Sequence, residues 1–94
     1  MVATHYTCLS YSSTRLTYTD ACQLAVKLAS CPRAQVVRLD LQGTQKTTTG
    51  ALARLVQLRA ALLNNGGDMF VSGLQGRVKG LYEIHGMHRL LPQP

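Results

Sequence analysis

The sequence predicts an α/β domain in which helices cover a small, mostly parallel β-sheet. Residues 36–41 and 68–74 are apolar runs with the length and composition of buried strands. Between them lies a leucine-rich segment with helical periodicity, which a Gly66-Gly67 pair ends. Strands that alternate with helices of crossover length indicate parallel pairing. The 94 residues suffice for a single domain over positions 1–94.

The first third of the chain predicts an edge strand and an amphipathic helix. The strand is expected over residues 6–11 at a sheet edge, followed by a turn at residues 12–14. Thr17 or Thr19 is expected to cap the helix, and Asp20 would face the positive end of its dipole. Pro32 should end the helix, because proline disfavours helical geometry in the residue before it. The apolar stripe consists of Ala21, Leu24, Ala25 and Leu28.

The clearest element is a second helix over residues 49–64. Three consecutive threonines offer hydroxyls at its start. Residues 64–67, Asn-Asn-Gly-Gly, tolerate the left-handed conformation found at helix ends. The apolar positions at helical spacing are Leu52, Leu55, Val56, Leu58, Leu62 and Leu63.

Two weaker elements are expected after the strand at residues 68–74. A third helix should open at Gln75 or Gly76 and close at Gly86. Residues 87–91 are then expected to form a last strand before a proline-containing tail. The residues predicted to share one face of the third helix are Val78, Leu81, Tyr82 and His85.

The net charge of +6 arises because acidic residues are scarce, with 10 Lys and Arg against 4 Asp and Glu. The bases are dispersed, which is typical of a solvated surface, so we do not expect nucleic-acid binding. No stretch approaches the ~20 apolar residues that span a bilayer, and residues 1–8 lack an export-signal pattern. Cys8, Cys22 and Cys31 are an odd set at unrelated spacings, which predicts buried or idle thiols in the cytoplasm.

No set of residues predicts a catalytic or metal site. Of the histidines, His5 is remote in sequence, and Gly86 interrupts the helix between His85 and His88. The cysteines lack the local signatures of catalytic thiols. The 4 acidic residues are scattered, which does not favour paired-carboxylate chemistry. We therefore expect a protein without enzymatic activity, cofactor or metal ion.

The order of these motifs resembles that of the STAS domain, the fold of bacterial anti-sigma factor antagonists. The match runs from Leu16 onward. It comprises the buried strand at residues 36–41, a Thr-Thr-Thr-Gly loop at 47–50, the leucine-rich helix, the Gly-Gly turn, a strand, and a final helix over residues 77–87. The resemblance implies a STAS-like α/β fold, and it is carried by the order and spacing of the motifs.

The resemblance also implies that Thr48 is a phosphorylation candidate. In the family, a partner kinase phosphorylates the first hydroxyl residue after the Asp of this loop, and that position is Thr48 here. Thr47 stands where the family has the Asp, and Thr17 where it has an earlier one. A phosphate at a helix amino terminus lies by unpaired N–H groups, and Lys46 is placed to pair with it. A plain helix cap is the alternative interpretation of the three threonines.

Three functions remain open at this point. The favoured one is a non-catalytic regulatory module of the anti-sigma factor antagonist type, which binds a nucleotide-binding partner such as an anti-sigma factor or kinase. The second is an accessory STAS subunit that binds the ATPase of an ABC-type phospholipid transporter, and the third is a basic nucleic-acid-binding domain. The residues expected to contact a protein partner are Lys46, Thr47, Thr48, Thr49, Gly50, Arg54 and Gln57, with Ala61 on the same helical face.

Overall fold

The computed structural model describes residues 5–29 and 35–93. The predicted stop at Pro32 and the thiol of Cys31 lie outside this part of the chain. In the described residues, two strands precede each of the first two helices, and one strand precedes the third helix. The strands are β1 (His5–Ser10), β2 (Arg15–Leu16), β3 (Gln35–Asp40), β4 (Lys46–Thr47) and β5 (Asp68–Ser72), and the helices are α1 (Tyr18–Ala29), α2 (Thr49–Asn64) and α3 (Gly76–Ile84).

The main sheet has three parallel strands in the order β1–β3–β5. β3 is central, and its residues 35–40 pair with residues 5–10 of β1, while residues 36–40 pair with residues 68–72 of β5. The predicted central strand and the predicted edge strand are therefore confirmed, with each end shifted by one residue. The strand order in this sheet is the order of its strands in the chain, because each strand pairs beside the preceding one on the same side.

One face of this sheet carries the core. Along β3, Val37 and Leu39 are buried, whereas Arg38 between them is exposed. Met69 and Val71 of β5 are buried at the paired positions. Apolar residues of all three helices join the same cluster, so the helices cover this face and the alternate residues face away from it.

Helix α1 begins with a reciprocal cap. The carboxylate of Asp20 accepts hydrogen bonds from the backbone N–H and the hydroxyl of Thr17, at 3.0 and 2.8 Å. The Asp20 N–H donates to Thr17 Oγ1 at 3.2 Å. This capping box satisfies amide groups that a helix start leaves unpaired, and it confirms the predicted roles of both residues. Within the predicted apolar stripe, Leu24 is only half-buried.

Helix α2 begins and ends where the sequence predicts. Its buried residues are Ala51, Leu52, Leu55, Leu58 and Leu62. Leu63, predicted for the apolar face, is 45% exposed, because position 63 lies away from the stripe centred on Leu55, Leu58 and Leu62. After the helix, Gly66 adopts a positive φ of 83°. Neither this helix nor any other in the described ranges is long and apolar enough to cross a membrane.

The strand predicted over residues 87–91 is wrong. These residues form turns, in which the Leu91 N–H donates to the Met87 carbonyl at 2.7 Å. Met87 and Leu91 are both buried and Arg89 is exposed, a spacing of four that suits a helical turn and not a strand. The segment still meets the sheet, since Val71 of β5 donates its N–H to the Pro92 carbonyl at 3.0 Å.

Candidate functional site

Thr48 caps the amino end of α2 and is exposed to solvent. Its backbone is extended, with φ −124° and ψ 160°, and its Oγ1 accepts a hydrogen bond from the Ala51 N–H at 3.1 Å. The first turn of α2 contains no acidic residue. The positive end of the helix dipole therefore has no anionic side chain from its own helix to balance it.

Lys46 and Thr47 form a short strand, so Thr47 is not part of the loop predicted over residues 47–50. β4 pairs in parallel with β2, with Arg15 opposite Lys46 and Leu16 opposite Thr47. The Thr47 hydroxyl donates to the Leu16 carbonyl at 3.0 Å, and Thr47 is half-buried. Thr47 thus holds the two short strands together, whereas Lys46 and Thr48 on either side are exposed.

A surface pocket of about 240 Å³ opens beside this ladder. It joins the amino ends of α1 and α2, because each helix directly follows one of the two short strands. Two of its residues carry positive charge, and the rest are hydroxyl-bearing or apolar. The lining residues are Arg15, Leu16, Thr17, Lys46, Thr47 and Thr48.

Thr49 and Gly50, the next two predicted contact residues, lie beside neighbouring helices. Thr49 Oγ1 lies 3.4 Å from Nε2 of His85, which is at the carboxyl end of α3 and exposed. His85, predicted to share one face of the third helix with Val78, Leu81 and Tyr82, is the C-cap residue of α3. The Tyr18 ring of α1 lies beside Gly50, where an added Cβ would be 3.9 Å from Tyr18 Cδ2.

The contact between Thr49 and His85 joins a hydroxyl to an imidazole, the pairing that nucleophilic catalysis uses. A hydroxyl nucleophile and its imidazole base need a third group to orient the ring. The other contacts described for residues 5–29 and 35–93 include no such group at His85, and both partners are exposed. The same ranges hold no group of three or more His, Cys, Asp and Glu side chains placed to bind a metal ion.

The remaining predicted contact residues lie along one side of α2. Gly50, Arg54, Gln57 and Ala61 follow one another at spacings of four, three and four residues, which places them on one helical stripe. Gln57 and Ala61 are exposed, and Arg54 is half-buried. The predicted contact residues thus lie at the start of α2 and along one of its stripes, and we call this set the α2 surface: residues 46–50 with Arg54, Gln57 and Ala61.

Among the described residues, the bases of the α2 surface and the neighbouring Arg15 have no ion-pair partner. Within the described ranges, the ion pairs are Arg59–Asp68 and Lys79–Glu83, so Arg15, Lys46 and Arg54 have no carboxylate within 4.0 Å. Asp20, on the adjoining end of α1, is already hydrogen-bonded by Thr17. The Thr17 backbone N–H and then its hydroxyl hold the pKa of Asp20 below its ordinary value.

The described fold is similar to part of a murine anion transporter of the solute carrier 26 family in its inward-facing state, a protein that carries a STAS domain. The TM-score is 0.70 at 15% sequence identity, and the match covers 87% of this chain and 14% of the transporter chain. The chain has a STAS-like fold. At this identity the likeness concerns the fold alone. No protein-family profile and no curated protein sequence matches the chain.

Two residues of the site in this STAS-like fold, Arg15 and Tyr18, are not among those that the sequence predicts. Arg15 enters the pocket through the β2–β4 ladder, and strands of two residues leave no periodic pattern to detect. Tyr18 reaches Gly50 from another helix, 32 positions away in the sequence. The sequence offered one signal for Tyr18: it is an aromatic residue in the first turn of α1 that does not belong to the predicted apolar stripe.

Neither Cys8 nor Cys22 is buried, so of the expected buried or idle thiols only the idle alternative stays a prediction for them. Cys8 of β1 is exposed and Cys22 of α1 is half-buried, and both are free. Their exposure follows from position: Cys8 is paired with the exposed Arg38, on the sheet face away from the core, and Cys22 lies beside the apolar stripe of α1.

Proposed function

We propose that this chain is a non-catalytic interaction module that binds a nucleotide-binding regulatory protein through the α2 surface in the cytoplasm, with Thr48 as the switch residue. The observation that carries the proposal is the exposed Thr48 hydroxyl at the acid-free amino end of α2, beside the pocket that Arg15 and Lys46 line. The nucleotide-binding nature of the partner rests on the resemblance to anti-sigma factor antagonists.

A switch at this position follows from electrostatics. A kinase would transfer the γ-phosphoryl group of ATP to Thr48 Oγ1 and release ADP. The phosphate would bring about −1.5 to −2 charges to a helix end that has no other anion. It would gain N–H donors from the first turn of α2 and the positive charge of Lys46 and Arg15. A partner surface that matches the unmodified cationic site would be repelled.

The test is affinity capture of the tagged chain from cells of the organism that encodes it. We expect capture of a protein with a nucleotide-binding fold, and loss of that protein with Arg54→Glu or Thr48→Asp. Aspartate still caps the helix, so the second variant changes charge and leaves α2 folded. Arg77→Glu, on the exposed surface of α3, is the matched control and should retain the partner.

Two further readouts separate the alternatives. Capture of an ABC transporter ATPase would favour the accessory-subunit function. Binding to nucleic acid that weakens steeply between about 50 and 200 mM salt would favour the third function. Intact-mass measurement after incubation with ATP and the captured kinase tests the switch, with Thr48→Ala as the control. Equal capture by the wild-type chain and Arg54→Glu contradicts the proposal.

A further inference from the structure

Helix α1 carries a second apolar stripe that faces solvent. Tyr18 is 55% and Val26 73% exposed, and Cys22 between them is half-buried. Spacings of four residues place the three on one side of the helix, next to the buried side that Ala21 and Ala25 occupy. An amphipathic surface helix normally presents charged or polar residues at such positions. The stripe is therefore unexplained by the packing of this domain.

This stripe borders the α2 surface. α1 and α2 pack against each other, and the Tyr18 ring lies beside Gly50 at the start of α2. Gly50 also begins the exposed side of α2 that continues with Arg54 and Gln57. We call the seam between the two helices at this contact the groove, with the Tyr18, Cys22 and Val26 stripe of α1 on one side and the Gly50, Arg54 and Gln57 stripe of α2 on the other.

One side of the groove is apolar, and the other side carries one base. Arg54 lies in it, half-buried, and Arg15 and Lys46 lie at its amino end by the pocket. None of these three bases pairs with a carboxylate in the described ranges. A partner that covers the groove must offset this charge and must also cover Tyr18 and Val26.

We propose that the groove binds an acidic amphipathic helix of the partner. The stripe from Tyr18 to Val26 extends about 12 Å at the helical rise, which matches about two turns of a bound helix. Such a helix meets a groove through apolar residues at i, i+3 or i+4, and i+7. Its carboxylates would lie against Arg54 and the bases at the amino end. This inference rests on the proposed function and adds the chemistry of the partner segment.

The test uses a synthetic helical peptide with leucines at that spacing and glutamates elsewhere, and a matched peptide with lysines in place of the glutamates. Titration of the full chain, followed by amide chemical shifts, should show binding of the acidic peptide at Tyr18, Val26 and Arg54. Val26→Asp or Tyr18→Ala should weaken that binding about tenfold. Leu63→Asp is the matched control, since Leu63 is exposed on α2 away from the groove, and it should bind as the wild type does.

The thiols supply an independent readout. The bound acidic peptide should slow alkylation of Cys22 by a maleimide and leave Cys8, on β1, unaffected. Peptide mapping by mass spectrometry resolves the two sites. The inference is overturned if the acidic peptide does not bind, if the basic peptide binds equally well, or if Leu63→Asp weakens binding as much as Val26→Asp.

Failure of this inference and failure of the proposed function are distinguishable in the capture experiment. If Arg54→Glu loses the partner while Val26→Asp and Tyr18→Ala retain it, the partner binds the α2 surface without the α1 stripe. The proposed function is then supported and the groove inference fails. If Arg54→Glu retains the partner, the proposed function fails whatever the peptides do.

Discussion

At the scale of single residues, the three threonines at positions 47–49 have three different tasks. The Thr47 hydroxyl joins β2 to β4, the Thr48 hydroxyl caps α2, and the Thr49 hydroxyl lies near His85. The three identical side chains have different partners because the backbone conformation differs at each position: strand at Thr47, extended cap at Thr48 and helix at Thr49. Of the three residues, only Thr48 meets all three conditions: it is exposed, it caps the amino end of the helix, and it lines the pocket with Arg15 and Lys46.

The cap at Thr48 is expected to stabilise the domain measurably. Thr48→Ala removes the acceptor of the Ala51 N–H and should lower the free energy of unfolding by about 1 kcal/mol. Urea denaturation measures the change. Thr48→Ser keeps the oxygen and should unfold within a few tenths of a kcal/mol of the wild type. A loss as large in Thr48→Ser as in Thr48→Ala would contradict the capping role.

The Asp20 cap on α1 predicts a dependence of stability on pH. Because the Thr17 N–H and hydroxyl lower the pKa of Asp20 in the folded state, its contribution is present above the unfolded-state pKa of about 3.9. The contribution is lost as the pH falls through the folded-state pKa. Asp20→Asn should therefore destabilise the protein at neutral pH, with a difference that shrinks as the pH falls below about 3.9. Urea midpoints across this range measure it, and a pH-independent difference would refute the assignment.

At the scale of elements, close approach of two backbones fixes how α2 connects to β5. Gly67 lies against β3, and a Cβ added there would overlap the Gln35 carbonyl oxygen. Gly80, inside α3, has no neighbouring atom within 4 Å of an added Cβ. The first glycine is required by packing between strand and turn, and the second only lowers the helix propensity of α3.

These two glycines should respond to alanine in opposite directions. Gly67→Ala forces backbone displacement and should lower the free energy of unfolding by about 1–3 kcal/mol. Gly80→Ala should raise it by about 0.5–1 kcal/mol, since alanine favours the helix and meets nothing. Thermal and urea denaturation of both variants measure the changes. A loss of stability in Gly80→Ala would contradict the open space described around that position.

At the scale of the whole molecule, the segment after α3 completes the core. Leu91 is fully buried, and the Tyr82 hydroxyl donates to the Leu91 carbonyl at 2.7 Å. Arg59 of α2 pairs with Asp68 at 2.8 Å and reaches the Leu90 carbonyl at 3.4 Å. The segment is thereby held by a helix before it, a strand and a distant helix, without being a strand itself.

The two adjacent leucines of this segment should differ sharply. Leu91→Ala opens a cavity in the core and should cost about 2–5 kcal/mol of unfolding free energy. Leu90 is 51% exposed, and Leu90→Ala should change stability by no more than about 0.5 kcal/mol. Urea denaturation of the pair measures both values. Equal effects would mean that residues 87–91 do not pack as described.

The sequence alone determined the elements whose signals are local. The bounds of α2 follow from a capping threonine, a leucine stripe and a glycine stop, all within twenty residues. The parallel sheet follows from apolar runs separated by helices. The threonines at the start of α2 are visible in the same way, whereas the choice of Thr48 among them comes from the resemblance to STAS domains. Each of these signals acts between residues close in the chain, so periodicity and composition record them.

Only the tertiary structure decided which side chains share a surface. The β2–β4 ladder brings Arg15 to Lys46, α1 brings Tyr18 to Gly50, and the turns after α3 bury Leu91 beside an exposed Leu90. These contacts join residues far apart in the chain, and their geometry depends on how the helices pack on the sheet. Local sequence patterns do not show which distant residues come together. That proximity depends on the path of the backbone, and many different sequences can follow the same path.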